Sequence, residues 1–378
     1  MGEFSLLRDF LKIKTKRFPV TTAYLTKNIV GRGKMSYMTE LKKLIRYKQN
    51  KSYYRELSEE ERNFVSQDFE RILKFANEDF PINGKLTSVC FSSVGENLWE
   101  VVNFDVPFMT EVEVQPFVYI KPLAKLYSHY RNYGLVLVDK AKAKIFERRL
   151  GSNIEHFQVR SNQVESIKYG GYKGRDERSV ERNIHNIILG HYKEVSKKVS
   201  ELDSKLNFNW IILGGHRDVL NEFKKYLKDD ILCKVLGEMI IGPEVPTDDA
   251  FKKVESMEDI IKAEYEKRLI QKVRELSTEN YAVEGIQAVI ISSRKRAVKT
   301  LLFAEDFIQK GHYCKDCGLI DTGDATKCPD CGNNLMITND VTENLIHSVL
   351  ENGGNIEVIE KEKDKIPGIA AILYFPIV

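Results

Sequence analysis

No run of about 20 consecutive apolar residues occurs in this chain, so nothing in it predicts a membrane span. The opening residues, MGEFSLLRDFLKIKTKRF, alternate charged with apolar side chains too closely for a secretory signal, and the expected compartment is the cytoplasm. A GxxxxGK[ST] phosphate loop is missing, which argues against nucleotide hydrolysis by the chain itself. Internal repeats and low-complexity tracts are missing as well. Cysteine is scarce, six residues in 378, and four of the six fall in one short window. A disulfide framework spread through the chain is thereby excluded, while a local cluster is not.

What is present is the composition of a globular protein, 42% hydrophobic and 30% charged, in a chain long enough for two or three cores. The net charge of +3 hides an uneven distribution: residues 1 to 51 hold thirteen Lys/Arg against three Asp/Glu, a net +10, which leaves −7 for the rest. Such a basic arm reads as a footprint for nucleic acid. A solvated charged face reads equally well from charge alone.

Along the chain, the segment Pro19 to Leu25, with VTTAYL, is strand-like in its β-branched and aromatic content. Ser58 with Glu61 fits a capping box, and Phe64, Val65, Phe69, Ile72, Leu73 and Ala76 recur at helical spacing, which predicts core packing. GLVLVD, KIFERRL and IEHFQVR are three short strand candidates, followed by a helix over about Glu177 to Leu202 and a buried strand WIIL, Trp210 to Leu213. The spacing then predicts a helix over Asp218 to Leu227 and a strand over Ile231 to Leu236. GPEVPTDDA is a linker leading into one long charged helix, roughly Asp249 to Ser277. His216 reads as a turn residue. The alternation of elements predicts a mixed α/β (α+β) fold in three domains, residues 1–128, 129–245 and 246–378.

Cys314, Cys317, Cys328 and Cys331 are spaced CxxC, ten residues, CxxC. Each pair sets two thiolates at the tip of a tight turn, and two such knuckles close a tetrahedral Zn²⁺ site, here within an insert at 311–336. Disulfides are the alternative. With all four ligands from protein the ion would be structural. Cys90 and Cys233 lie in apolar surroundings and read as small core residues.

The stretch Lys168 to Arg182, KYGGYKGRDERSVER, joins Gly170, Gly171 and Gly174 to Lys168, Lys173, Arg175, Arg178 and Arg182. Its glycines reach φ > 0 backbone and its charge suits a polyanion, so it reads as a catalytic finger, an RNA-binding finger or a solvated connector. Asp176 and Glu177 suit the start of the following helix, where acids meet the helix dipole; a nuclease centre is the lesser reading.

The order of these motifs resembles the archaeal and eukaryotic class I peptide-chain release factor superfamily, which includes the Pelota ribosome-rescue factors. The resemblance rests on YGLVLVD from Tyr133, the glycine loop before a long helix, WIILGGHRD from Trp210, VEGIQAVIISSRKRAVKTLLFAED from Val283, the cysteine insert and GIAAILYF from Gly368. It covers about two-thirds of the chain, and it implies a three-domain release-factor-like architecture with a zinc-binding insert in the last domain. The opening, FSLLRDFLKIKTKRFPVTTAYL, is similar to bacterial branches of the superfamily, the Balon-type ribosome hibernation factors among them. The first domain carries no Asn-Ile-Lys-Ser loop, only KNIVGRGKMS with Arg32 and Lys34.

The resemblance implies a ribosome-binding factor that occupies the A site, with the ribosome (rRNA and tRNA) and a translational GTPase such as elongation factor Tu as partners, and neither DNA nor a membrane. It also implies Gly-Gly-Gln at the loop tip for peptidyl-tRNA hydrolysis. Here Gly170 and Gly171 are followed by Tyr172, and no glutamine lies between Lys168 and Arg182. The expectation is therefore binding without hydrolysis, in hibernation or stalled-ribosome handling. The loop's cations would meet phosphates while Tyr169 and Tyr172 stack on bases. The alternative is a divergent release factor acting in termination, and a scaffold away from the ribosome is a third reading.

Overall fold

The structure is a computed structural model that describes residues 5–13, 15, 17–27, 34–80, 85–149, 152–160 and 177–377. The described residues form two compact units, one over 127–271 and one that joins the N-terminal stretch through 126 to the stretch from 272 onward.

In the N-terminal stretch, β1 (Val20–Thr26), β2 (Thr87–Ser93), β3 (Leu98–Phe104) and β4 (Glu111–Gln115) form an antiparallel sheet in the order β3-β2-β1-β4. The helix Glu59–Glu78 packs on it, and the expected capping box is there: the Ser58 hydroxyl accepts from the Glu61 N–H at 3.2 Å while the Ser58 N–H donates to Glu61 Oε2 at 2.8 Å. Val65, Phe69, Ile72 and Ala76 are buried as their spacing predicts. Asp68 is buried on the same helix. Its carboxylate accepts from Ser92 Oγ at 2.6 Å, the Val94 N–H at 2.8 Å and Thr21 Oγ1 at 3.2 Å, pinning the helix to β1 and to the end of β2.

The unit over 127–271 is built on β5 (Tyr133–Val138), β6 (Lys142–Arg149), β7 (Ser152–Arg160), β8 (Trp210–Gly214) and β9 (Val235–Met239), in the order β7-β6-β5-β8-β9. β5, β8 and β9 run parallel, while β6 and β7 are antiparallel additions. Because strand side chains alternate, Val136 and Val138 join Tyr192, Val195 and Val199 of the helix Glu177–Leu206, and Leu135 and Leu137 join Phe251 and Val254 on the other face. Helices thus cover both faces of this mixed sheet.

Three expectations fail in this region. The run Ile231 to Leu236 is not one strand: Asp229–Lys234 is a helix, with Asp229 and Asp230 in its first turn, and β9 starts only at Val235. Helical spacing buries Ile231 but leaves Cys233 exposed, so Cys233 is not a core residue, whereas Cys90 is buried. The long charged helix is two, Thr247–Glu255 and Glu258–Thr278. The first ends where Met257 N–H bonds back to the Val254 carbonyl at 2.8 Å and the Ser256 hydroxyl takes the Lys253 carbonyl at 2.7 Å.

In the C-terminal stretch, β10 (Ala282–Glu284), β11 (Val298–Ala304), β12 (Gly311–Tyr313), β13 (Ile320–Asp321), β14 (Met336–Thr338), β15 (Asn355–Ile359) and β16 (Ile369–Leu373) make two sheets. One is mixed, in the order β10-β16-β11-β15, and carries the helices Ile286–Arg294 and Val341–Glu351; the other is a small antiparallel sheet, β13-β12-β14. Glu343 binds this stretch to the N-terminal one: 1% exposed, it accepts the backbone N–H of Ile120 at 2.7 Å and of Lys121 at 3.0 Å. Those N–H groups open the helix Lys121–His129, so the carboxylate sits where the helix dipole favours it. The Lys121 ammonium pairs with Asp340 and donates to the Phe307 carbonyl at 2.8 Å, and His347 Nε2 lies 2.8 Å from the Val118 carbonyl. Among the described residues no helix is long and apolar enough to cross a membrane.

Candidate functional site

The four clustered cysteines come together. In the first turn the Gly318 N–H reaches the Cys314 carbonyl at 2.9 Å with Gly318 at φ +73°; in the second the Gly332 N–H reaches the Cys328 carbonyl at 2.9 Å with Gly332 at φ +76°. Both positions need the left-handed backbone that glycine tolerates. Each turn is closed again behind the thiol, Cys314 N–H to the Leu319 carbonyl at 2.8 Å and Cys328 N–H to the Asn333 carbonyl at 2.7 Å. The two turns are thus the same device used twice.

Cys314 Sγ lies 3.4 Å from Cys331 Sγ, Cys317 Sγ lies 3.4 Å from Cys328 Sγ, and all four sulfurs fall within 4.8 Å of one another. Cys314 and Cys328 are buried, Cys317 and Cys331 exposed. The crowded thiols shift in opposite directions: against desolvation, backbone N–H groups of Cys331 and Asp330 pull Cys328 down to about 7, whereas neighbouring thiols and desolvation push Cys317 and Cys331 up. Asn333 Nδ2 donates to Asp316 Oδ2 at 2.8 Å and links the turns, while Arg294 and Asp330 pair at 2.7 Å and fasten the second turn to the helix Ile286–Arg294. Four thiols so placed can hold one metal ion with no coordination position left for substrate.

The glycine loop fares differently. Lys168, Tyr169, Gly170, Gly171, Tyr172, Lys173, Arg175 and Arg32 lie outside the described residues. Arg178 falls in the helix Glu177–Leu206 and Lys34 in the helix Lys34–Gln49, and Arg182 is exposed on the former. His216 is an exposed turn residue ahead of the helix Arg217–Phe223. The sequence reading missed Asp68, Lys121 and Glu343, polar groups whose partners lie far away in sequence. Another missed signal was legible: Glu111, Glu113 and Gln115 alternate with valines along β4.

Residues 119–263 match the family model of bacterial archaeo-eukaryotic release factor family 10. Peptide chain release factor subunit 1 of Archaeoglobus fulgidus is 28% identical over 261 residues, which cover 66% of this chain and 58% of that protein. The aligned part therefore spans little more than half the length of that relative. The protein of the same name from Methanocaldococcus jannaschii is 24% identical over 68% of this chain and 69% of its own length. Among solved structures, the archaeal Pelota of a ribosome-bound Pelota and ABCE1 model aligns over 100% of this chain and 95% of its own, with a TM-score of 0.40 and 13% identity. The described residues are mixed α/β in several sheets, and about two-thirds of the chain is similar in sequence to archaeal proteins named peptide chain release factor subunit 1. The middle of the chain, residues 119–263, is thus similar to bacterial archaeo-eukaryotic release factor family 10.

Proposed function

We propose that this chain is a ribosome-binding translation factor that occupies the A site in hibernation or stalled-ribosome handling, without glutamine-dependent hydrolysis of peptidyl-tRNA. The observation that carries this reading is Tyr172 directly after Gly170 and Gly171, in a chain whose middle is release-factor-like. A tyrosine offers a ring for stacking but not the compact amide that the family's hydrolysis uses. Lys168, Lys173, Arg175, Arg178 and Arg182, with Arg32 and Lys34, neutralise RNA phosphates, and Tyr169 and Tyr172 stack on unpaired bases. A translational GTPase such as elongation factor Tu is its partner there, and the protein acts in the cytoplasm in three domains, 1–128, 129–245 and 246–378.

The ion held by the cysteines is Zn²⁺ in this reading. Bonds of about 2.3 Å to a tetrahedral zinc place the sulfurs roughly 3.8 Å apart, a separation that sulfurs spread between 3.4 and 4.8 Å reach with small side-chain shifts. The ion would supply structure only, by locking the two turns.

Sedimentation with vacant 70S ribosomes at rising salt tests the proposal. Expected is saturable binding whose affinity falls steeply with salt, as counterion release requires; no salt-sensitive association would remove the reading. The divergent release factor remains the second reading, favoured by the relatives named peptide chain release factor subunit 1. Release of formyl-methionine from programmed ribosomes, abolished by Tyr172→Ala, would establish it instead.

A further inference from the structure

β4 is an edge strand, and its alternation sends Val112 and Val114 into the core while Glu111, Glu113 and Gln115 face the other way. That second face of an edge strand ordinarily meets water. Here it meets a cavity of about 190 Å³, walled by the rings of Tyr53, Phe117, Tyr119 and Tyr313 and closed by the segment Ile337 to Asp340. The volume is below the roughly 300 Å³ at which drug-sized ligand sites begin, so an occupant is small.

The hydrogen-bond inventory of this wall does not balance. Glu113 is paired by Lys48, and Asp340 by Lys121. Lys51 directs its ammonium over the Tyr47 ring, 4.2 Å from the centroid. The Glu111 carboxylate makes no hydrogen bond or ion pair among the described residues; burial raises its pKa, and Lys48, Lys125 and Lys121 oppose that only through their fields. Gln115 Oε1 is buried with no hydrogen-bond partner among the described residues. The cavity therefore presents acceptors, aromatic faces and a carboxylate without a counter-ion. Of the lysines on this wall, Lys48 is held by Glu113 and Lys51 lies over the Tyr47 ring, while Lys121 beside it is held by Asp340. An alkylammonium finds a carboxylate, an amide oxygen and rings that attract both its charge and its methylenes.

Spacing narrows the ligand further. Alternate residues of a strand recur every ~6.7 Å. An extended chain of four methylenes holds two nitrogens roughly 6 Å apart at ordinary bond lengths. We propose that this cavity binds an aliphatic polyamine, one ammonium on Glu111, the methylene chain along the tyrosine rings, and further nitrogens donating to Glu113 and Gln115. A single metal ion, with oxygen bonds of about 2.0–2.6 Å, does not span such a row. The site involves neither the glycine loop nor the cysteines, and it stands independently of any ribosomal role.

The test is calorimetric titration of the full-length protein with spermidine and with 1,4-diaminobutane at constant ionic strength. Expected is saturable one-to-one binding, at least 10-fold weaker in Glu111→Gln, several-fold weaker in Gln115→Leu, and unchanged in Glu279→Gln, which alters an exposed acid elsewhere. Because Glu111→Gln removes an unpaired carboxylate, the variant folds and melts no lower than wild type without ligand. Spermidine then raises the melting temperature of wild type and not of the variant. No heat at millimolar polyamine, equal affinity in wild type and Glu111→Gln, or full displacement by Mg²⁺ at matched charge overturns the site.

Discussion

Asp68 and Glu111 are carboxylates of the same compact unit, both withdrawn from water far enough that burial raises their pKa, yet they end in opposite circumstances. Asp68 receives three hydrogen bonds, from Ser92, Val94 and Thr21, and Glu343 likewise has two backbone N–H groups to itself. Glu111 has none among the described residues, and its neighbour Gln115 keeps an orphaned oxygen. The cysteines differ from both: four sulfurs within 4.8 Å of one another meet only each other and the N–H groups of their own turns. Groups whose needs are met within the chain hold elements together. Groups gathered with their needs unmet mark where something from outside completes the structure.

Substitutions can break that comparison, beginning with the largest effect. Cys328→Ser is expected to abolish metal binding, from one equivalent to near zero by elemental analysis, and to open the 311–338 segment to proteolysis, since zinc in comparable sites contributes ~10 kcal/mol or more. Glu343→Ala strands two backbone donors at the start of the helix Lys121–His129 and should cost about 2–5 kcal/mol in urea unfolding.

Asp68→Ala should cost roughly 2–3 kcal/mol, but Asp68→Asn less than about 1, because an amide keeps the bonds from Ser92 and Val94 and can donate to Thr21. The pH dependence has a defined sign. A folded pKa raised above 3.8 means that the stability Asp68 contributes is full below that value and is lost as pH rises through the folded pKa, so the asparagine variant gains on wild type over that interval. Were the difference flat with pH, the carboxylate would not be desolvated as described. Smallest is Ser58→Ala, about 1 kcal/mol for loss of one capping side chain, read from the same denaturation curves.

Legibility in the sequence followed the range of the interaction. The capping box, β1, β5 and β8, and the paired CxxC turns depend on residues a few positions apart, and each stood in the sequence as it stands in the fold. Ile231 to Leu236 misled because a short apolar run fits strand and helix alike; the acids before it decided for the helix and turned Cys233 outward. The break near Ser256 was hidden because charged residues continue through it without a proline or glycine. Glu343 shows no local pattern at all, since it serves N–H groups more than 200 residues earlier in the chain.

The sequence by itself determined the chemistry on offer: four thiols at knuckle spacing, a basic first segment, and a glycine loop in which Tyr172 takes the place of glutamine. Those are properties of covalent order, and folding cannot change them. Tertiary structure alone decided which polar groups would be satisfied. Hydrogen bonds act over about 3 Å, and only packing determines which distant donor arrives within that reach. It delivered partners to Asp68 and Glu343, while it brought Glu111 to the wall of a cavity and gave its carboxylate none among the described residues.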